Sequence, residues 1–184
     1  VNLPNCLTIG RLLAVPLVVW LIVTGEHLGA FIAFALAGLT DALDGALARA
    51  LDQRTRLGAY LDAVADKGLI AAIYVTLALT GDIPPALVVV VVVRDALIIG
   101  AVLLTRLRGR PIAIDPSRLS KANTFVQIGF AALMLGARGF GWNAPTLEIA
   151  GAWVVGALTL WSAAAYLATF IRHTTLAGAR PTDE

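Results

Sequence analysis

One cysteine, one methionine and two histidines in 184 residues remove several chemistries at once. A lone Cys6 can close no disulfide within the chain and build no thiolate metal site; it reads as a small apolar packing residue. His27 and His173 stand near the ends of apolar runs and read as interfacial side chains rather than metal ligands. Charge is scarce too: charged residues make up 14% of the chain and aromatics 7%, while hydrophobic types reach 59% and mean hydropathy is +0.84. Soluble domains hold about 45 to 50% apolar residues. The composition therefore excludes an ordinary soluble domain and predicts an all-α integral membrane protein.

Six apolar runs, at 5–24, 28–49, 57–80, 84–107, 118–137 and 146–171, each approach the length a membrane helix needs. Residues 1–184 read as a single transmembrane domain in which 175–184 form a disordered tail. The run at Cys6–Thr24 lacks a small-residue cleavage site after a short apolar core and is expected to be retained. Val88–Val93 has strand propensity, but an isolated strand in lipid leaves its backbone unsatisfied, so helix is expected. Turn residues punctuate alternate connections: Thr24-Gly25-Glu26, Gly81-Asp82-Ile83-Pro84-Pro85 and Gly139 to Pro145. No internal repeat of the kind found in transporters is visible. Trp142, Trp153 and Trp161 read as membrane anchors.

The few cations are distributed unevenly. With six helices, Arg11, Arg49, Arg54, Arg56, Arg106, Arg108, Arg110, Arg118, Lys121, Arg172 and Arg180 fall on one side, and the connections on the other contain Arg138. The positive-inside rule then places both termini in the cytoplasm. The basic surface suits anionic lipid headgroups. Nothing resembles a nucleic-acid module, and no nucleic-acid partner is expected.

The costliest residues are acids within the apolar runs. Asp41 and Asp44 are three apart and Asp62 and Asp66 four apart, so each pair shares a helix face. The short link between their runs predicts antiparallel neighbours with both pairs at the cytoplasmic end of one cavity. Clustered carboxylates repel unless cations lie between them, and oxygen ligands suit Mg²⁺ or Mn²⁺. Two such ions are a recurrent device for displacement at phosphorus. Gly45, Ala48 and Gly58 leave room for a pyrophosphate against the helix backbone, and Arg49 offers a fork for phosphate oxygens. The plain alternative is that the acids pair with Arg49, Arg54, Arg56 and Lys67 as membrane-edge salt bridges.

The spacing DxxDGxxARx8GxxxDxxxD, complete from Asp41 to Asp66, resembles the signature of the CDP-alcohol phosphatidyltransferases. Asn5-Cys6-Leu7-Thr8 with Arg11 is similar to that family's N-terminal stretch, and Ser120-Lys121-Ala122-Asn123-Thr124 with Gln127 to a later one. The resemblance implies a six-helix transmembrane fold, usually a homodimer, with two metal ions in a cavity open to the cytoplasm. It implies that Asp41, Asp44 and Asp62 ligate one ion and Asp41, Asp62 and Asp66 the other, that Asp66 is the catalytic base, and that Gly45, Arg49, Thr55 and Gly58, with Asn5 and Thr8, hold CDP-diacylglycerol.

Within the family, Asn123 in an SKxNT segment resembles the cardiolipin synthases. The phosphatidylglycerophosphate synthases tend to carry a second lysine there. The resemblance thus implies phosphatidylglycerol as acceptor, with Arg94, Arg118, Lys121 and Asn123 around it, in a bacterial inner membrane or the equivalent organelle membrane. Glycerol 3-phosphate is the alternative acceptor, since the segment from Arg106 to Arg118 keeps four arginines. Arg94-Asp95, adjacent in one run, also suits pairing with neighbouring helices. Two other classes remain open: a divalent metal transporter, because acids inside a membrane also mark ion paths, and a lipid scaffold without catalysis.

Overall fold

The computed structural model describes residues 3–50, 56–107 and 118–178, and within them the side chains of residues 10, 13–40, 65, 67–101 and 119–169. These form six helices: α1 (Leu3–Val23), α2 (His27–Ala50), α3 (Arg56–Leu79), α4 (Pro85–Leu107), α5 (Arg118–Gly139) and α6 (Pro145–Gly178). The Val88–Val93 run is helical, within α4. α6 continues to Gly178, so 175–178 extend the helix where the sequence read as tail; 179–184 lie outside the described residues.

Three of the connections are built alike. Gly25, Gly81 and Gly141 adopt φ of 81°, 85° and 69°. In each, the next residue donates its N–H to the carbonyl five residues back: Glu26 to Leu21 at 2.8 Å, Asp82 to Leu77 at 2.8 Å and Trp142 to Ala137 at 2.8 Å. The glycines close the inner bonds to Ile22, Ala78 and Arg138. This Schellman geometry satisfies the orphan carbonyls of a helix end, and its left-handed residue favours glycine.

All three turns lie at one end of the bundle. A Cβ on Gly139 would stand 2.7 Å from Leu28 Cα, so the end of α5 presses on the start of α2. Arg138 of α5 bridges Asp82 in the α3–α4 turn and Glu148 in α6. The opposite end therefore receives the C-termini of α2, α4 and α6 and the N-termini of α1, α3 and α5.

Among the described residues, α1 packs on α2 and α3, α5 on α2, α3 and α6, and α4 on α3 and α6. Two four-helix rings thus share an α3–α5 wall. α2 and α3 are not a packed pair in this set: they stand diagonally across the first ring, with α1 touching both. The short link makes them consecutive, and the side chains of residues 41–50 and 56–64 that flank it lie outside the described residues. α3 contributes the largest share of the core, through Leu69, Ile70, Ile73, Tyr74 and Leu77, which meet Phe130, Met134 and Leu135 of α5.

Outward faces are apolar as well. Leu28, Ile32, Leu36 and Leu39 form an exposed stripe on α2, Val89, Val93 and Leu97 on α4, and Leu160, Trp161 and Leu167 extend one on α6. Among the described residues, Pro145–Thr169 is by itself long and apolar enough to cross a membrane; the apolar parts of α1, α2 and α3 are shorter, at Leu13–Val23, His27–Thr40 and Lys67–Leu79. By this criterion one of the six expected spans is shown among the described residues.

Gly139→Ala should lower stability by about 1 to 3 kcal/mol, because the added methyl meets backbone rather than a movable side chain. Thermal unfolding in detergent would check this, with Gly129→Ala, whose added Cβ meets nothing within 4 Å, as the comparison.

Candidate functional site

The signature residues occupy the end away from the three glycine turns. Asp41, Asp44, Gly45 and Arg49 lie in the last part of α2, and Gly58, Asp62 and Asp66 in the first part of α3. At 1.5 Å per residue, Asp41 and Asp44 stand roughly 9 to 14 Å from the end of α2, and Asp62 and Asp66 roughly 9 to 15 Å from the start of α3. The two aspartate pairs therefore lie at similar distances along their helices from the ends joined by the short link. Asn5 and Thr8 lie in the opening turns of α1, and Arg118 begins α5. The side chains of all these residues, and Thr55 altogether, lie outside what the structure describes. Among the described residues, no group of three or more His, Cys, Asp and Glu could hold a metal ion. Aspartate is the residue type that suits hard divalent cations.

The described part of this region is a polar seam through the second ring. Asp95 Oδ1 takes Arg94 Nη1 at 2.6 Å and Lys67 Nζ at 3.0 Å. Arg94 Nη2 donates to Ser120 Oγ of α5 at 2.8 Å and to Ser162 Oγ of α6 at 2.6 Å. Arg94 is 2% exposed. Burial without partners would be prohibitive for a guanidinium, so these bonds are what allow it there.

One turn further along α5, Asn123 is fully buried and its Oδ1 accepts from Thr159 Oγ1 at 2.9 Å; Gln127 Nε2 donates to the same hydroxyl at 3.3 Å. Tyr74 of α3 donates to the Gln127 carbonyl at 3.0 Å. Asn123 thus faces α6, whereas Lys121 is exposed. Arg94 Nε and Asn123 Nδ2 have no hydrogen-bond partner among the described residues. Lys67, Thr159 and Ser162 were not singled out for this seam; its sequence signals were the adjacent Arg94-Asp95 pair and the stretch from Ser120 to Gln127.

The sequence profile of the CDP-alcohol phosphatidyltransferases matches residues 1–171. The chain belongs to the CDP-alcohol phosphatidyltransferase family. It is 36% identical over 181 residues to human cardiolipin synthase (CMP-forming), covering 90% of this chain and 60% of that protein. A rice protein, CDP-diacylglycerol–glycerol-3-phosphate 3-phosphatidyltransferase 1, chloroplastic (Oryza sativa subsp. japonica), is 33% identical over 183 residues, covering 90% of this chain and 56% of its own length. A Mycobacterium tuberculosis protein whose name also refers to cardiolipin synthase is 32% identical over 174 residues, with 94% and 80% covered. The chain spans about three fifths of the length of the human and rice relatives. The family is membrane-associated and generally depends on a divalent metal.

At the far end, carboxylates also meet. Arg138 Nε donates to Asp82 Oδ1 at 2.7 Å, and its Nη1 and Nη2 reach Glu148 Oε1 and Oε2 at 3.1 and 3.2 Å. The sequence had suggested no acidic cluster on this side; the fold assembles one from residues far apart and occupies it with a guanidinium. For Asp82, burial raises the pKa, but hydrogen bonds from Thr80 and Arg138 and the Arg138 charge outweigh it, leaving a net lowering.

Asp82 should therefore add stability in full above its unfolded pKa of about 3.9 and lose that contribution as pH falls through the lower folded value. Unfolding midpoints of the wild type and Asp82→Asn, followed from pH 7 to 3, should converge at the acid end.

Proposed function

We propose that this chain transfers the phosphatidyl group of CDP-diacylglycerol to the free glycerol hydroxyl of phosphatidylglycerol, giving cardiolipin and CMP. The observation that carries the reading is the complete aspartate, glycine and arginine signature, carried by the end of α2 and the start of α3. The names of the human and mycobacterial relatives support the acceptor. So does the polar seam, since Arg94 Nε and Asn123 Nδ2 are buried donors of the kind a phosphodiester oxygen satisfies. In this reading Arg94, Asn123, Lys121 and Arg118 form the acceptor side. The rice relative favours a second reading, with glycerol 3-phosphate as acceptor and phosphatidylglycerophosphate as product.

Asp41, Asp44, Asp62 and Asp66 would hold two Mg²⁺ or Mn²⁺ ions, which supply neutralisation of the pyrophosphate and of charge building on the departing CMP. Asp66 accepts the proton of the acceptor hydroxyl as its oxygen bonds to phosphorus and the bond from phosphorus to CMP breaks. Arg49 forks onto the nucleotide phosphates. Gly45 and Gly58 leave the helix backbones open to them, with Thr55, Asn5 and Thr8 completing the CDP-diacylglycerol site.

The exposed apolar stripes support six spans in a bacterial inner membrane or an equivalent organelle membrane, in which the protein acts as a homodimer. The basic residues at the signature end support a cytoplasmic active site and cytoplasmic termini.

Incubating the purified protein with CDP-diacylglycerol and each acceptor separately, then identifying the lipid by mass, tests the reading; CMP release with neither acceptor would defeat it. Asp66→Asn should reduce turnover by about a hundredfold or more while CDP-diacylglycerol still binds. Asp41→Asn, placed on both ions, should weaken Mn²⁺ affinity itself in a direct titration.

A further inference from the structure

Lys67 follows Asp66 directly on α3, and Ser120 directly precedes Lys121 on α5. Asp95 and Arg94 of α4 connect these two positions: Asp95 takes the Lys67 ammonium, and Arg94, on the same Asp95 oxygen, takes the Ser120 hydroxyl. We propose that Asp95 is a positioning residue for the transfer, holding the turn of α3 that carries the base at a set distance and rotation from the start of α5 that faces the acceptor. This rests on the function proposed above.

The physical case begins with cost. Ion pairs buried between helices are commonly matched or surpassed in stability by apolar residues of similar volume, so packing alone gives little reason for two cations and a carboxylate here. Direction is what such a group adds. Leu69, Ile70, Ile73, Tyr74 and Leu77 bury the rest of this α3 face, and apolar burial of that kind is non-directional. A pair closed at 3.0 Å on one oxygen favours the rotations of α3 that keep Lys67 within reach of Asp95. Neighbouring residues of a rigid helix move together, so a displacement at Lys67 is a displacement at Asp66. Phosphoryl transfer depends on near-linear placement of attacking and leaving oxygens, where an error of about 1 Å can cost about a hundredfold in rate. Arg94 extends the same hold to α6 through Ser162. The Arg138 cluster ties three elements just as firmly at the far end, with no signature residue beside it, and so provides an internal comparison.

Lys67→Gln is the primary test, because it leaves Asp95 bonded to Arg94 and the protein should fold. Thermal unfolding, Mn²⁺ affinity by spin-resonance titration, kcat, and KM for both substrates are measured together. The expected result is a loss of about tenfold or more in kcat and weaker Mn²⁺ binding, with the KM for CDP-diacylglycerol little changed. Lys67→Arg should recover most of both. Asp95→Asn should act in the same direction, and the double variant should be no worse than the poorer single one. Arg138→Gln should lower the unfolding temperature yet keep kcat and Mn²⁺ affinity when assayed well below it. A folded Lys67→Gln protein with wild-type kcat and Mn²⁺ affinity overturns the proposal. Additive effects in the cycle overturn it too, because Lys67 would then act directly and not through Asp95. If Asp95→Asn does not fold, the contrast between Lys67→Gln and Lys67→Arg decides. A wild-type protein that releases no CMP with any acceptor defeats the functional reading instead, and Mn²⁺ affinity in the variants still tests the positioning.

Discussion

A charge held between apolar helices must find its partner inside the protein, and both ends of this bundle are organised by that requirement. At one end Arg138 spans two carboxylates from separate elements and pins the α3–α4 turn to α5 and α6. Deeper in the bundle, Asp95 serves two cations and Arg94 spends its remaining terminal nitrogen on two serines. The same rule makes four aspartates in α2 and α3 so informative: they belong to the end of the bundle away from the three glycine turns, where a charge also needs a partner.

The two ends differ in character. The turn end is constrained by backbone, through three glycine-capped connections and the close approach of Gly139 to Leu28. Little there could shift without moving several helices. Toward the signature end, the described side chains are held by pairs that cross between helices, from α3 to α4 and from α4 to α5 and α6.

Much of this was legible in the chain. The six apolar runs match the helices to within about two residues at most ends, because apolar length and the glycine turns are local signals. The long final helix was the exception, since the polar residues after Ile171 end the apolar run without ending the helix. The signature could be assigned to particular faces for the same local reason: residues three and four apart share a helix face whatever the helix later packs against.

What the sequence determined alone was the number of helices, the form of the turns, the family and the gathering of acids and glycines at one end. The tertiary structure decided who meets whom. Asn123, which by pattern alone belonged to the acceptor, turns into α6 and meets Thr159; Arg94 reaches serines 26 and 68 positions away; Lys67 finds Asp95; α1 touches both α2 and α3. Periodicity tells which residues share a face. Which two faces meet depends on the rotation and register of separate helices, and these are settled only when the whole bundle packs and every buried polar group competes for a partner at once.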